Sequence, residues 1–349
     1  MFDNKNLFKT PISEYGEFGL IEHLTKNLSL FNSSTLKSIG DDACVLDSKN
    51  KEVLVSSDTL VENIHFNLTY TPLKHLGYKA VVVGISDIIA MNAIPEQILI
   101  SIAISNRFPV EALDEIYAGI STACNFYKID LVGGDTTSSN LGLVINITAI
   151  GYAKKEDIVY RNGAKPNDLL VVTGDLGGAY FGLQVLEREN VAFKANPNLQ
   201  PDLNDYTYLL ERQLKPEARV EIKNLLEEMQ VHPTSMIDIS DGLASEILHL
   251  SQKSNVGFSI YEDKIPMDNQ VISTASEFGI NPVTGVLNGG EDYEILFTIP
   301  VSEHDKIKHN PNFSIIGHAT QNNKNFLVTK GQNEIIPLRA QGWEAYLKN

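Results

Sequence analysis

Several sequence features that would indicate a particular class of protein are rare or absent. It contains only two cysteines, Cys44 and Cys124, so a disulfide framework is excluded and both thiols are expected to act as small apolar side chains. No Lys/Arg run occurs, and 44 acidic against 28 basic residues give a formal net charge of −16, which argues against nucleic acid as a partner. No apolar stretch reaches the roughly 18 residues that a membrane span requires, and the first residues have no apolar signal core. We therefore expect a cytoplasmic protein with no membrane partner.

The common motifs for binding phosphate and zinc are also missing. There is no Gly-rich loop ending in Gly-Lys-Ser/Thr, no spaced GxGxxG after a strand and no catalytic loop of the protein-kinase type. The eight histidines show neither HExxH nor Cys/His spacing, so zinc has little support. Any nucleotide site must be built in another way.

What is present is a chain of ordinary globular composition, 43% hydrophobic and 21% charged, whose 349 residues exceed the usual span of one core. Alternating apolar patterns predict strands and helices in both halves, and the turn-rich stretch at 161–168 separates the two. We predict an α/β (α+β) fold with two domains, at 1–154 and 155–349. The predicted strands are 52–57, 96–104, 141–152, 169–174 and 293–299. The predicted helices are 74–92, 109–127, 206–229 and 242–253, with a further helix directly after 174–178. The polar segment 190–204 is expected to be a surface excursion.

One pattern recurs five times: an apolar run, one or two small residues, and then aspartate. It occurs at 38–42, 54–58, 82–87, 131–135 and 236–241. Carboxylate and hydroxyl oxygens are hard ligands of the kind that Mg²⁺ prefers, and small neighbours let phosphate oxygens approach the backbone closely. Each aspartate alone is more simply a helix cap or turn residue, but five together favour a metal site.

Three of these aspartates carry separate arguments. Asp87 lies in the apolar stretch 80–94, where an ionised carboxylate must be paired or bound to a cation. Asp238 and Asp241 are three residues apart, so both carboxylates would point to one side if they occupied the first turn of the following helix. A capping pair is the alternative for these two.

Several blocks together resemble the thiamine-monophosphate kinase family. In order they are GDDACVL (40–46), SSDTLVENIHF (56–66), YKAVVVGISDIIAMNA (78–93), LVGGDTT (131–137), TGDLGG (173–178), IDISDGL (237–243) and GGEDYEILF (289–297). The resemblance runs from GEFGLI (16–21) to GWEAY (342–346). Their joint order is more specific than any single block.

The resemblance implies an architecture shared with aminoimidazole ribonucleotide synthetase, selenophosphate synthetase and a hydrogenase maturation protein. These proteins use ATP on a two-domain α/β fold that dimerises through the sheet of its N-terminal domain. The chain lacks the reactive N-terminal cysteine of selenophosphate synthetases and the C-terminal cysteine of the hydrogenase protein.

The resemblance also implies site residues. Oxygen ligands of several Mg²⁺ ions would be Asp42, Ser56, Ser57, Asp58, Asp87, Asp135, Asp238 and Asp241. ATP would contact Tyr117, Gly134, Asp135, Arg161 and Ser240, and thiamine monophosphate would contact His65, Glu291 and Trp343. Apart from the resemblance, His65 would be a structural histidine, Trp343 a core residue and Arg161 a solvated turn residue.

The sequence departs from the family pattern at two of these blocks. Ser57 stands where many relatives have Thr, which keeps the hydroxyl ligand. Asn63 stands where Gly is usual, in the loop that presents His65.

The implied activity is transfer of the ATP γ-phosphoryl group to thiamine monophosphate, giving thiamine diphosphate and ADP, the last step in making thiamine diphosphate. The acceptor is already an oxyanion, so we expect no discrete catalytic base or nucleophile, and charge neutralisation by metals instead. One alternative is a cyclase or ligase of the same superfamily, which would release ADP and phosphate. Another is a non-catalytic sensor of nucleotide or metal, although the wide spread of the aspartates excludes a compact EF-hand loop.

Overall fold

The computed structural model describes residues 9–40, 42–140, 142–198, 200–331 and 334–341. These residues form two compact units. Unit 1 takes its described residues from Met1–Ile88 and Ala93–Glu156, and unit 2 takes its described residues from Ile89–Asn92 and Asp157–Asn349. Each unit combines helices with its own β-sheet, as the sequence predicts.

Unit 1 is built on a four-stranded sheet with the strand order β3-β6-β4-β5. Only the β4–β5 pair is parallel; β3–β6 and β4–β6 are antiparallel. A separate antiparallel pair, β1–β2, precedes the sheet in the chain. The elements of unit 1 are α1 (Gly16–Thr25), β1 (Thr35–Lys37), β2 (Val45–Leu46), β3 (Glu52–Val61), α2 (Leu73–Ala90), β4 (Ile94–Ile104), α3 (Val110–Tyr127), β5 (Asp130–Ser138) and β6 (Val144–Ala153).

The two faces of this sheet differ in burial. One face is apolar and covered, with Ile100 and Ile147 at 2% and 0% exposure. Helix α2 packs on this face so closely that a Cβ at Gly84 would approach Ile147 within 2.9 Å. We call the opposite face the open face, because it carries Val53 and Val55, which are 52% and 64% exposed.

Helices α2 and α3 approach each other through a reciprocal pair of glycines. A Cβ at Gly77 would lie 2.0 Å from the carbonyl oxygen of Ile116, and a Cβ at Gly119 would lie 1.9 Å from that of Lys74. Real Cβ atoms do not come so close to backbone oxygen, so only glycine permits this helix contact.

Unit 2 contains a seven-stranded sheet in the order β13-β12-β9-β11-β7-β10-β8. All its pairs are antiparallel except β12–β9. The elements are β7 (Leu169–Thr173), α4 (Gly178–Ala195), α5 (Thr207–Leu214), α6 (Ile222–Glu228), β8 (Ser235–Asp238), α7 (Leu243–Ser254), β9 (Gly257–Tyr261), α8 (Asn269–Phe278), α9 (Pro282–Asn288), β10 (Ile295–Ile299), α10 (His304–Ile307), β11 (Phe313–Thr320), β12 (Phe326–Val328) and β13 (Ile335–Pro337).

The core of unit 2 joins the sheet to its helices. Leu170, Phe258 and Leu296 from the strands pack with Ile247 of α7 and Val286 of α9 in one fully buried cluster. The alternating strand pattern supplies one side of this cluster and the helical period supplies the other.

Two sequence predictions need correction here, and strand β5 was not predicted. The helix predicted at 206–229 is two helices, because the chain leaves the helical path at Lys215, immediately before Pro216. The excursion predicted at 190–204 begins later, because α4 continues to Ala195. Strand β5 was seen only as an aspartate motif, since its two glycines hide the strand pattern.

Among the described residues, no helix combines the length and apolar character needed to cross a membrane.

Candidate functional site

Strand β3 presents its predicted ligands on two different faces. Ser56 and Asp58 alternate with Ser57 along the strand, so Ser56 and Asp58 lie on the face that α2 covers. There the Ser56 hydroxyl donates a hydrogen bond to Oδ2 of Asp87 on α2. The structure therefore brings together Ser56 and Asp87, which the sequence separates by 31 positions.

Asp87 lies where an ionised carboxylate is unfavourable unless a positive charge offsets it. It lies in the last turn of α2, where the exposed carbonyl groups create negative potential, and no basic residue lies in that turn. A bound cation would offset both the carboxylate charge and the helix dipole. This placement supports a metal-ligand role independently of the family resemblance.

Ser57 faces the open side of the sheet. Its hydroxyl lies 3.1 Å from Oγ1 of Thr148 and accepts a hydrogen bond of 3.3 Å from Nδ2 of Asn146. The same Asn146 amide donates to the carbonyl oxygen of Asp58 at 2.9 Å. The Ser57 hydroxyl is thus held by neighbouring strand β6, on the face opposite to the Ser56–Asp87 contact.

Gly134 and Asp135 lie on β5, at the other edge of the sheet. Gly134 has φ of +155°, and a Cβ there would lie 1.8 Å from the carbonyl oxygen of Ile100, so glycine is required at this position. Asp135 pairs in register with Ser101, and its Oδ1 accepts a 2.9 Å hydrogen bond from the backbone N–H of Thr136. Three strand spacings place it about 14 Å from β3.

Asp42 is exposed in the segment between β1 and β2. Within the described ranges, the structure gathers no group of three or more His, Cys, Asp or Glu side chains suited to hold a metal ion. The predicted ligands are instead spread over both units: Asp42, Ser56, Ser57, Asp58, Asp87 and Asp135 in unit 1, and Asp238 and Asp241 in unit 2.

The turn that carries His65 explains the departure at Asn63. Asn63 has φ of +66°, and its backbone N–H donates to the carbonyl oxygen of Phe66 at 2.8 Å. Asparagine tolerates this left-handed conformation better than other residues with a Cβ, so Asn63 can replace glycine in the turn. His65 is held within the same turn, because its Nδ1 accepts a 3.0 Å hydrogen bond from the backbone N–H of Val61.

Tyr117 lies on α3 and is 9% exposed. Burial raises the pKa of its hydroxyl to about 12, so the side chain stays protonated at neutral pH. It can donate a hydrogen bond but cannot act as a base.

In unit 2, two motif segments form one hydrogen-bonded pair of loops. Backbone N–H groups of Ile239, Glu291 and Tyr293 donate to the carbonyl oxygens of Glu294, Ser240 and Ile239 at 2.8, 2.7 and 2.9 Å. Gly290 permits the contact, because a Cβ there would lie 2.3 Å from the Ser240 carbonyl oxygen. Ser240, Asp241 and Glu291 are thereby brought together from segments 50 residues apart in the sequence.

Asp238 and Asp241 do not lie in the first turn of the following helix, which was the condition for both carboxylates to point to one side. Asp238 is the buried last residue of β8, Asp241 is an exposed loop residue, and α7 begins only at Leu243. The two carboxylates therefore do not share a helical turn.

Charged groups surround Asp241. Although Asp241 is exposed as a residue, its carboxyl group is partly shielded from water, and this desolvation raises its pKa; nearby His249 and Arg161 act to lower the pKa. Glu246, in the first turn of α7, accepts a 3.0 Å hydrogen bond from the backbone N–H of Asp241. Burial, with repulsion from Asp238 and Asp241, raises the Glu246 pKa to about 8. Arg161 is exposed, and its carbonyl oxygen accepts a hydrogen bond from Ser254.

Sequence reasoning missed Glu246 and His249 as neighbours of this site. Glu246 could have been found from the sequence, because it is an acidic residue in the first turn of the helix that follows the IDISDGL block. His249 gave no signal of this kind. Trp343, the predicted thiamine contact, lies outside the described residues.

Comparisons with known proteins agree with the division of the chain into two units. Residues 40–153 match the family model of the AIR synthase related protein, N-terminal domain, and residues 165–330 match that of the C-terminal domain. Thiamine-monophosphate kinase of Aquifex aeolicus is 34% identical over 86% of this chain and 89% of its own length. The chain belongs to the thiamine-monophosphate kinase family. The Bacillus subtilis member is 32% identical over 95% of this chain and 99% of its own length.

Comparison with solved structures supports the same family and fold. The structure of AaThiL complexed with AMPPCP and TMP is 30% identical, with a TM-score of 0.72 over 95% of this chain and 99% of that chain. Hydrogenase maturation protein HypE in complex with ATP matches with a TM-score of 0.71 at 17% identity, over 92% of this chain and 94% of that chain, and supports the fold alone. The predicted fold class and family are confirmed.

Proposed function

We propose that this thiamine-monophosphate kinase family member transfers the γ-phosphoryl group of ATP to thiamine monophosphate, giving thiamine diphosphate and ADP. The observation that carries the proposal is the match over 95% of the chain to a structure that holds AMPPCP, an ATP analogue, together with TMP. The chain retains, in order, the blocks that the family resemblance rests on. The reaction is the last step in making thiamine diphosphate.

Mg²⁺ fits the donor set that the chain offers. The proposed ligands are carboxylates and hydroxyls without His or Cys, and Asp87 sits where the helix dipole favours a cation. In unit 1, Ser56, Asp58 and Asp87 would bind some of the Mg²⁺ ions. Further candidate ligands are Asp42, Ser57 and Asp135 in unit 1, and Asp238 and Asp241 in unit 2. Bound magnesium would neutralise the negative charge of the polyphosphate.

The substrate contacts are assigned in the same way. Gly134 would let a phosphate oxygen approach the backbone, and Arg161, Ser240 and Tyr117 are proposed nucleotide contacts. Glu291, His65 and Trp343 are proposed contacts of thiamine monophosphate, whose cationic ring suits the Glu291 carboxylate. No base is required, because the acceptor phosphate already carries a negative oxygen.

We further propose a cytoplasmic homodimer joined through unit 1. The open face of its sheet exposes Val53 and Val55, and a second copy would cover these apolar side chains.

Incubation of the purified protein with ATP, MgCl₂ and thiamine monophosphate tests the activity. We expect thiamine diphosphate and ADP in equal amounts, no free phosphate, and no turnover when EDTA removes the metal. Release of phosphate with an amide substrate would support the cyclase or ligase alternative. Binding of ATP without any turnover would support the sensor.

A further inference from the structure

Helix α5 contacts two motif segments of unit 2, at 173–178 and 289–294. The Tyr208 hydroxyl donates to the carboxylate of Asp175 in the first segment. One turn later, Nη2 of Arg212 donates to the carbonyl oxygens of Asp175 and Asp292 at 3.0 and 3.3 Å. The next residue, Gln213, contacts Glu291 in the second segment. Three side chains of one short helix thus hold both segments.

The second segment needs such support because its backbone is unusual. Glu291 and Tyr293 both have left-handed conformations, with φ of +58° and +51°, which residues with a Cβ seldom adopt. Buried Asp292 lies between them, and its Oδ2 accepts a 2.9 Å hydrogen bond from the backbone N–H of Gly177. Arg212 also forms a 3.0 Å ion pair with buried Glu294. The surrounding contacts therefore fix the direction in which Glu291 leaves the backbone.

The side chain of Glu291 is fixed separately. Gln213 is 6% exposed, and its Nε2 donates a 3.0 Å hydrogen bond to Oε2 of Glu291. A neutral amide donor orients a carboxylate while leaving its negative charge in place, which a lysine or arginine would cancel. Glu291 keeps intermediate exposure, so its carboxylate remains accessible to a ligand.

We infer that Gln213 is a positioning residue that orients the Glu291 carboxylate toward the cationic acceptor substrate. The inference rests on the proposed function, in which Glu291 contacts thiamine monophosphate. Gln213 acts through Glu291 and has no role toward ATP.

A double-mutant cycle tests this inference through KM and kcat for each substrate. We expect Gln213→Leu to raise KM for thiamine monophosphate about tenfold, with KM for ATP changed less than twofold and kcat little affected. In a Glu291→Gln background, Gln213→Leu should add less than a twofold further change.

Glu211→Ala is the matched control, since Glu211 is exposed on the same helix, and it should leave all constants within twofold. Equal rises in both KM values, or a full tenfold effect of Gln213→Leu without the Glu291 carboxylate, would overturn the inference while leaving the kinase activity intact. Absence of thiamine diphosphate formation by the unmodified protein would instead overturn the proposed function, and the inference with it.

Discussion

At the scale of single residues, Asp87 has the clearest physical reason to bind a cation. It is a carboxylate in the last turn of α2, it has no basic residue in that turn, and its described partner is the neutral hydroxyl of Ser56. The interaction with Ser56 needs only an acceptor oxygen at position 87, whereas a metal ion needs the charge.

This distinction makes Asp87→Asn informative. Asparagine can still accept the Ser56 hydrogen bond and removes a charge that the helix dipole disfavours, so we expect a melting temperature that is not lowered, with kcat lowered by about 100-fold or more. Steady-state kinetics and thermal denaturation measure the two effects. Glu115→Gln, a change at an exposed position on α3, is the control and should leave kcat unaltered. Near-normal turnover of Asp87→Asn would contradict the metal-ligand role.

Glu246 gives the metal-free protein a pH-dependent stability. Burial raises its pKa from 4.5 to about 8, so between these values the folded state holds a proton that the unfolded state has released. The free energy of unfolding therefore falls as pH rises through this window, by about 5 kcal/mol in total for this group. The stabilisation is fully present below pH 4.5.

Glu246→Gln should remove this contribution, because glutamine is neutral at every pH and can still accept the hydrogen bond from Asp241. Urea denaturation in EDTA at pH 5.5, 7 and 8 measures the effect. We expect a flatter pH dependence for Glu246→Gln and greater stability than the unmodified protein at pH 8. Parallel curves for the two proteins would show that Glu246 titrates normally.

At the scale of elements, the position of α2 depends on its glycine contact with α3. Helix α2 carries Asp87 and also covers the buried sheet face, so a shift of the helix would move the carboxylate relative to Ser56 on β3. The two glycines, Gly77 and Gly119, permit backbone contact that no other residue allows.

Gly77→Ala should therefore destabilise the protein by about 3 kcal/mol or more, because its Cβ would overlap the Ile116 carbonyl oxygen and force the helices apart. The change is measured by urea denaturation. Gly19→Ala in α1 is the matched control: its Cβ meets nothing closer than 3.8 Å, so the better helix propensity of alanine should stabilise the protein by about 0.5 to 1 kcal/mol. Similar effects of both changes would exclude a special contact at Gly77.

At the scale of the whole molecule, the open sheet face of unit 1 is the proposed dimer surface. Covering Val53 and Val55 would remove apolar area from water.

Sedimentation equilibrium tests the dimer directly. We expect a mass near twice 38.6 kDa for the unmodified protein. Val55→Lys should shift the equilibrium toward monomer by at least tenfold in dissociation constant, since the change buries a charge in the interface. Ile272→Lys, an exposed site on α8 of unit 2, should leave the dimer intact. A monomeric unmodified protein would refute the dimer.

The order of the motif blocks was sufficient to predict the family, and the apolar periods were sufficient for the main strands and helices of unit 1. Strands β3 and β4 and helices α2 and α3 lie close to their predicted positions because long, regular patterns dominate local structure. The two helices of 206–229 were merged because the pattern continues across Pro216, and β5 was missed because glycines interrupt its alternation.

The sequence by itself determined which residue types the site contains: hard oxygen donors beside small residues, without a phosphate-binding loop of a common kind. Only the tertiary structure decided which donors meet, because strand register and helix packing join positions far apart in the chain. It paired Ser56 with Asp87, placed Ser57 on the opposite sheet face, and set Gln213 beside Glu291. Such contacts depend on how helices and strands pack together, and the local sequence pattern does not determine that packing.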